Sequence, residues 1–534
     1  MAYIEPNTLI KLYRGINIDK NYENTLYFAN INAQELFFHV NNTNLKWTLE
    51  RQSFQRVSKG TLRIEKPVHN LYDCNYMAFQ NSAFGTKWFY AFITNVEYVN
   101  NITSEITYEI DVIQSYIHDV TIPPCFIERE HSATDNVGDN LLDENLETGE
   151  YQFGYIQPSG KFGDWGVLVQ SPYDKDITAV RGRKYSNIIN GNYIIYFESN
   201  DWTSFVSWLD RMNSSDTPYA DSIATVSMYP NSFRDTRYAE FIPVEHQTFD
   251  RAKPTKVGSY TPRNKKLLTY PYNYLGVFTG DGTMGTFRYE FFDDDRCNFR
   301  ITADPNTVTF MLVPINYNTS APNEVKPVYN YNESLTMDNV PLCSFQGDTW
   351  KIWYGQNKTS LNLGLTMGAL SGLGAVVTGA VTANPIVAAG GAITAISSIT
   401  NSVGKIMDHQ AIPNYVKGTA GSGIGITDGF QDFNTVQVSI HEEFARTIDS
   451  YFDMFGYATK EIKEPNRHVR KEWTYTKTIG CIAKCDSNIS LGCSAKVLEK
   501  IESIFDNGIR FWVNNENVGE YRNIDGSYKD NSPL

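Results

Sequence analysis

Residues 106–113 read ITYEIDVI. Ile106, Tyr108, Ile110 and Val112 alternate with Thr107, Glu109 and Asp111. An apolar residue at every second position gives an extended chain one buried and one wet face, which is the period of a β-strand. Just upstream, Trp88-Phe89-Tyr90-Ala91-Phe92-Ile93 is a continuous apolar run, and Asn100-Asn101 breaks the chain between the two segments. Together they predict a long antiparallel hairpin. Pro123-Pro124 then closes a region expected to be mostly strand.

The whole composition agrees with that start. The chain has 534 residues, of which 41% are apolar and 20% charged, an ordinary globular balance. At roughly 150 residues per domain, that length predicts three or four domains. Aromatics reach 14%, with 34 Tyr and 30 Phe, which favours a β-rich protein. The formal net charge of −14 leaves no basic excess to neutralise a phosphate backbone, so tight nucleic-acid binding is not expected. An acidic surface would instead let DNA slide past. The opening MAYIEPNTLIKLYRG has no apolar signal region, so no secretory signal is predicted. The seven cysteines are odd in number and mostly far apart, which predicts free thiols made in a reducing cytoplasm. Cys481, Cys485 and Cys493 lie close in sequence but lack the paired spacing of a zinc site.

The middle of the chain, 126–350, holds shorter strand candidates such as Tyr193–Phe197 and Thr307–Val313. The turn-rich spacers GKFGDWG, NSSDTP and GDGTMG separate them. Further on, Val436–Val438 is a strand candidate. HEEFARTIDSYFDMFG, 441–456, then places Phe444, Ile448, Tyr451, Phe452 and Phe455 on one helical face with Gly456 as its stop. EWTYTKTIGCIAK, 472–484, alternates like a strand. SAKVLEKIESIFDNG, 494–508, aligns Val497, Leu498, Ile501, Ile504 and Phe505 before Gly508, and IRFWV reads as a final strand. This order predicts a split-βαβ C-terminal module and, for the chain, a β-rich α+β class.

Motifs for chemistry are weak. Gly280-Asp281-Gly282-Thr283-Met284-Gly285 matches GxGxxG, but YLGVF and TFRYEFF flank it and both read as strands. A hairpin turn is expected there rather than a dinucleotide site. Asp293-Asp294-Asp295 lacks the spaced ligands of a calcium loop. His441-Glu442-Glu443 resembles the start of a zinc-protease helix, but Ala445 stands where the second histidine would be. No Ser/His/Asp, Cys/His or carboxylate pair can be nominated from spacing. No catalytic, metal or cofactor site is expected, and the chain is not read as an enzyme.

One segment departs from all of this. Residues 359–404 contain no Asp, Glu, Lys or Arg. Asn384-Pro385 interrupts the run near its middle, leaving on each side about 20 residues, one bilayer-spanning length. Gly364, Gly368 and Gly372 recur every four residues, and Ser371, Ala375, Gly379 and Ala383 form a second row. Small residues at that spacing let helices approach closely in lipid. Four readings compete: a flexible linker, a permanent transmembrane hairpin, a conditional membrane segment, and a buried structural hairpin. The Val, Ile, Leu and Met content opposes a linker. A charge at the bilayer centre costs about 2.5–3.5 kcal/mol, and here that barrier is absent. Gly, Ala, Ser and Thr keep the hydrophobicity modest, which suits a segment stored first and inserted later. His409, beside Lys405 and Asp408, is either an acid sensor for release or an ordinary surface histidine.

Several stretches then fall into a recognisable order: NYENTLYF (21–28), FQNSAFGTKWFYAF (79–92), YEIDVIQSYIHDV (108–120) and FIEREH (126–131). After a divergent middle come YPY (270–272), the Gly/Ala segment, IPNYVKG (412–418), FGY (455–457), EPNRHVRKEWTY (464–475) and IFDNGIRFW (504–512). In these the chain resembles the tail knob, or distal tail tube, proteins of small short-tailed phages of the Bacillus picovirus type. The match runs nearly end to end and is thin between residues 135 and 265.

The resemblance implies a virion protein made in the host cytoplasm and placed at the distal end of the tail. It implies a homohexamer whose tube-like or hub-like β-barrel wall is shared between subunits, with phage DNA passing through the lumen without sequence-specific binding. The implied regions are 1–130, an N-terminal tube-type domain; 131–350, central β-rich domains; 351–430, a long apolar helical or disordered loop region; and 431–534, a C-terminal tube-type domain. The implied partners are an upper tail tube or lower collar protein, a tail-tip protein and host cytoplasmic membrane lipids. The matching loop is Leu361 to Gly425, which would plug the tube and later form a membrane channel. Its membrane-insertion residues would be Leu363, Leu365, Met367, Leu370, Leu373, Val376, Val377, Val381, Ile386, Val387, Ile393, Ile396 and Ile399. Its helix-packing residues would be Gly364, Gly368, Gly372, Ala375, Gly379 and Ala383. The rival readings are a peptidoglycan-degrading tail-tip enzyme and a receptor-binding adhesin.

Overall fold

A computed structural model describes residues 7–40, 43–52, 60–171, 173–177, 183–185, 188–190, 193–212, 223, 225–279, 284–305, 308–318, 328–337, 342–343, 432–485 and 492–534. The chain forms two compact units, one of residues 1–145 with 448–534 and one of residues 146–447.

The first unit holds the predicted hairpin. β1 (Thr8–Arg14), β3 (Leu45–Gln52), β4 (Thr61–Ile64), β5 (Cys74–Asn81), β6 (Trp88–Asn100) and β7 (Thr103–Ile110) form an antiparallel sheet in the order β3-β1-β5-β6-β7-β4. β7 buries Ser104, Ile106 and Tyr108 on one face, as its alternation requires. The strand ends earlier than the pattern suggests. Asp111 turns its carboxylate to accept from Gln114 N at 3.0 Å and starts helix α2 (Val112–Tyr116), so Val112 is helical. An N-cap of this kind is worth about 1 kcal/mol, enough to override one more step of alternation.

A second sheet joins the two ends of the chain. β2 (Asn24–Leu26), β9 (Cys125–Glu130), β25 (Tyr457–Lys463), β26 (Trp473–Ile479) and β28 (Ile509–Trp512) lie in the order β2-β28-β26-β9-β25. β2 and β28 run parallel, and the other pairs are antiparallel. β8 (Val120–Thr121) pairs separately with β27 (Lys484–Cys485). One continuous core packs Phe38, Tyr76 and Tyr90 from the N-terminal part with Trp473, Phe505 and Trp512 from the C-terminal part. The short helix α1 (Ile31–Glu35) sends Gln34 inward to donate to Gln114 O at 2.8 Å.

The C-terminal helices form where their periodicity places them. Helix α4 (Glu442–Phe455) ends at Gly456 (φ 64°), and helix α5 (Ala495–Asn507) ends at Gly508 (φ 92°). α5 buries Ile501, Ile504 and Phe505. On α4 the buried set is Ala445, Ile448, Asp449 and Phe452, whereas Phe444 is exposed, against expectation. The split-βαβ expectation needs a larger correction. β24 (Asn434–Ile440), its intended first strand, pairs in a sheet of the second unit, while β25 and β26 are separated by β9. Local helix and strand periods cannot reveal that an N-terminal strand comes between two C-terminal ones.

The second unit is antiparallel throughout its described strands. Its first sheet has the order β10-β24-β18-β19, from β10 (Tyr151–Phe153), β18 (Asn273–Phe278) and β19 (Met284–Phe287), with β11 (Gln157–Pro158) also on β24. β12 (Trp165–Ser171), β15 (Tyr193–Phe197), β16 (Thr225–Pro230) and β23 (Leu342–Cys343) form a second, β15-β12-β16-β23. Helix α3 (Trp202–Met212) packs Phe205, Trp208 and Met212 against it. β13 (Arg183–Tyr185) and β14 (Ile188–Asn190) pair alone. The last sheet has β17 (Gln247–Ala252), β20 (Arg296–Asp304), β21 (Thr309–Ile315) and β22 (Leu335–Met337) in that order. β18 and β19 pair antiparallel with Phe278 opposite Met284, so strands flank GDGTMG on both sides as a hairpin requires and a dinucleotide fold does not.

Candidate functional site

The apolar segment, with all thirteen insertion residues, all six packing residues and His409, lies outside the described residues. What the structure does describe is how the second unit grips both ends of it. The last described element before the segment is β23, whose Leu342 and Cys343 stand opposite Ser227 and Val226 of β16. The first described element after it is β24, held on one side by β10 and β11 and on the other by β18.

The exit is clamped by side chains as well. Asp432 accepts from Ser159 Oγ and, at 2.8 Å, from Gly160 N. Phe433 O accepts from Ser159 N at 2.9 Å, and Thr435 Oγ1 donates to Gln157 O at 2.9 Å. Phe433 is fully buried. Burial pushes the Asp432 carboxyl above its usual range, and the Ser159 and Gly160 donors partly offset that. A buried acid kept for its hydrogen bonds marks a fixed chain path: removing one partner leaves the others unsatisfied, at about 1–3 kcal/mol.

The titratable groups that stand out elsewhere serve the fold. His131 Nδ1 accepts from Tyr475 N at 2.8 Å, and its Nε2 donates to Asp453 O at 3.0 Å. Burial lowers its pKa to about 3, so it stays neutral and bridges β9, β26 and the end of α4. Asp111 is raised to about 6 by burial, yet it is the α2 cap and accepts from Tyr76 OH at 2.8 Å. Glu290 is raised to about 7 by burial and accepts from Tyr270 N at 3.3 Å. Asp294 accepts from Asn298 Nδ2 at 2.7 Å and from Asn316 Nδ2 at 3.2 Å, a hydrogen-bonded bend before β20. His441 caps α4, its ring nitrogen facing Glu443 N at 3.5 Å. Among the described residues, no cluster of His, Cys, Asp and Glu could hold a metal, and no helix is long and apolar enough to cross a membrane.

Sequence reasoning missed two features. Asp432 carried no motif that would single it out. The first unit's second sheet also exposes an apolar ladder: Phe126 of β9 stands opposite both Ile479 of β26 and Ile462 of β25, and these three are 37%, 54% and 75% exposed. FIEREH and EWTYTKTIG each read as strands, but only their pairing brings the three side chains together.

Comparison with known proteins gives this architecture a family. Residues 231–525 match the C-terminal domain of the tail knob protein gp9 of Bacillus phage phi29. Residues 6–121 match the N-terminus of caudoviral major tail proteins. The chain is 25% identical to tail knob protein gp9 of Bacillus phage B103, over 98% of its own length and 99% of that protein. It is 22% identical to the phi29 tail knob protein over the same shares. Among solved structures, the tail knob protein gp12 of bacteriophage C1 shares the fold with a TM-score of 0.62 at 14% identity, covering 96% of this chain and 97% of that one. The chain belongs to the phi29-type tail knob family, structural components of the virion tail.

Proposed function

We propose that the chain forms a homohexameric distal tail tube, that DNA leaves the virion through it, and that the segment 361–425 plugs the tube and then inserts into the host membrane as a channel. The observation that carries this is the charge-free run 359–404, set between the end of β23 and the start of β24. A segment tethered at both ends to antiparallel sheets can leave a lumen without leaving the protein. A single hairpin built largely of Gly, Ala, Ser and Thr inserts weakly, but six tethered copies act at high effective concentration. The exposed ladder of Ile479, Phe126 and Ile462 reaches β25, the outer strand of its sheet, and supports association between copies through that face. An acidic chain suits a lumen that must pass DNA without gripping it. In the virion the tube would join an upper tail tube or lower collar protein above and a tail-tip protein below.

Phage carrying a tail knob deleted for 361–425 tests the proposal. Such particles should assemble, adsorb and breach the wall, yet deliver no DNA. Delivery at the normal rate would overturn the proposal. Release of reducing ends or free amines from host walls by purified protein would favour the enzymatic alternative instead.

A further inference from the structure

The second unit contains a cleft of about 610 Å³ whose charge runs against that of the chain. Its walls are the end of β17 and the following loop through Gly258, the β10–β11 connection, and residues 435–437 of β24. Among the described residues, four cations line it, Arg251, Lys253, Lys256 and Arg296, against one carboxylate, Asp250. That carboxylate is already committed to Arg296. In a chain of net charge −14, such a local excess is not a by-product of composition.

The cations are positioned rather than scattered. Arg251 Nε donates to Thr435 Oγ1 at 2.6 Å, Nη1 to Asp250 O at 2.8 Å, and Nη2 to Pro158 O at 2.6 Å and Gln157 O at 3.2 Å. These partners are a hydroxyl and carbonyls, which hold the guanidinium without neutralising it. Burial lowers its pKa and the charge of Asp432 partly restores it, so the cleft wall carries a half-buried positive charge. Lys253 Nζ donates to Phe292 O at 2.7 Å, which holds its ammonium at the cleft wall, while Lys256 is exposed and makes no ion pair among the described residues. Tyr155 lies 69% exposed among the lining residues.

We propose that this cleft binds a phosphate-bearing sugar or polyol one or two units long. Its volume falls in the small-ligand range of roughly 300–1,000 Å³. Nucleic acid would need a basic stripe that tracks a backbone, and these cations are confined to residues 251–256 and 296. Lysines act as point-charge phosphate binders, and an exposed tyrosine offers a face for a sugar ring or polyol. The proposal does not rest on the apolar segment.

Ligand-observed saturation-transfer NMR on the full-length protein tests it, with glycerol 3-phosphate and glucose 1-phosphate as probes and glycerol and glucose as neutral controls. The phosphate esters should bind and the neutral compounds should not. Lys253→Ala with Lys256→Ala should weaken ester binding at least tenfold without lowering Tm. Lys256→Ala alone, which keeps the Lys253 bond to Phe292, should weaken it severalfold. Lys496→Ala with Lys529→Ala, outside the cleft, should change nothing. Equal binding of glycerol, undiminished ester binding by Lys256→Ala, or binding of a short single-stranded oligonucleotide through these lysines in place of the esters would each overturn the proposal.

Discussion

Asp432 Oδ2 accepts a 2.8 Å hydrogen bond from Gly160 N, two residues before β24 begins. This contact pins the chain where it returns from the apolar segment. Asp432→Ala should lower the stability of the second unit by about 1–3 kcal/mol, because Ser159 Oγ loses its acceptor in a buried site and Gly160 N loses its partner beside it. Asp432→Asn keeps one acceptor oxygen and should cost less. Urea unfolding of both variants checks the order. Equal and negligible losses would show that the exit is not clamped.

His131 and Glu290 should impose opposite pH dependences. The folded His131 takes a proton only near about 3, against an ordinary value of 6.5. Between those values the unfolded chain binds more protons, so this contribution to stability is lost as pH falls from 6.5 towards 3. His131→Asn should therefore be destabilised most at pH 7.5, and its deficit should shrink in acid. Urea midpoints at pH 7.5 and 4.5 give the comparison, and a constant deficit would contradict it.

Glu290 works the other way. Its folded carboxyl holds its proton up to about 7, whereas the ordinary value is 4.5. The folded state binds more protons in that window, so stability falls as pH rises through it. Glu290→Gln should match the parent in stability near pH 4 and exceed it above pH 7. Thermal melts across that range decide the point, and parallel curves would count against it.

Gly456 and Gly15 separate close packing from backbone conformation. Both have a φ of 64°. A Cβ on Gly456 would sit 2.1 Å from Glu130 O, whereas a Cβ on Gly15 meets nothing within 4 Å. Gly15→Ala should cost about 1 kcal/mol, from the left-handed backbone alone. Gly456→Ala should cost about 2–4 kcal/mol, since α4 and β9 must also move apart. Similar losses in chemical denaturation would mean that β9 can yield at that point.

These elements show where the sequence was legible. The hairpin β6–β7 and helix α5 were readable because each depends on a period within one short window. Val112 and Phe444 were misread at element ends, where a cap and a change of neighbours outweigh periodicity. The placement of β9 between β25 and β26 was not readable, because it joins residues more than 300 positions apart in sequence. The cationic cleft was hidden for the same reason: Arg251 meets Thr435 and Gln157 only after three separate strands pack together. The apolar segment was the reverse case, conspicuous in composition because it lacks charge.

The ladder of Ile479, Phe126 and Ile462 tests the assembly. Phe126→Ser with Ile462→Ser should leave Tm within a few degrees, because both side chains are exposed. If copies associate through this face as proposed, the same variant should shift the protein towards smaller species in mass photometry. An unchanged distribution of species would rule this face out as an interface.

Dye release from liposomes shows whether residues 361–425 make the protein membrane-active, as proposed. Intact protein and protein lacking 361–425 would be compared at equal concentration, after negative-stain images establish that both form sixfold rings. The intact protein should release dye and the deleted form should release none. Equal release by both would contradict the proposal.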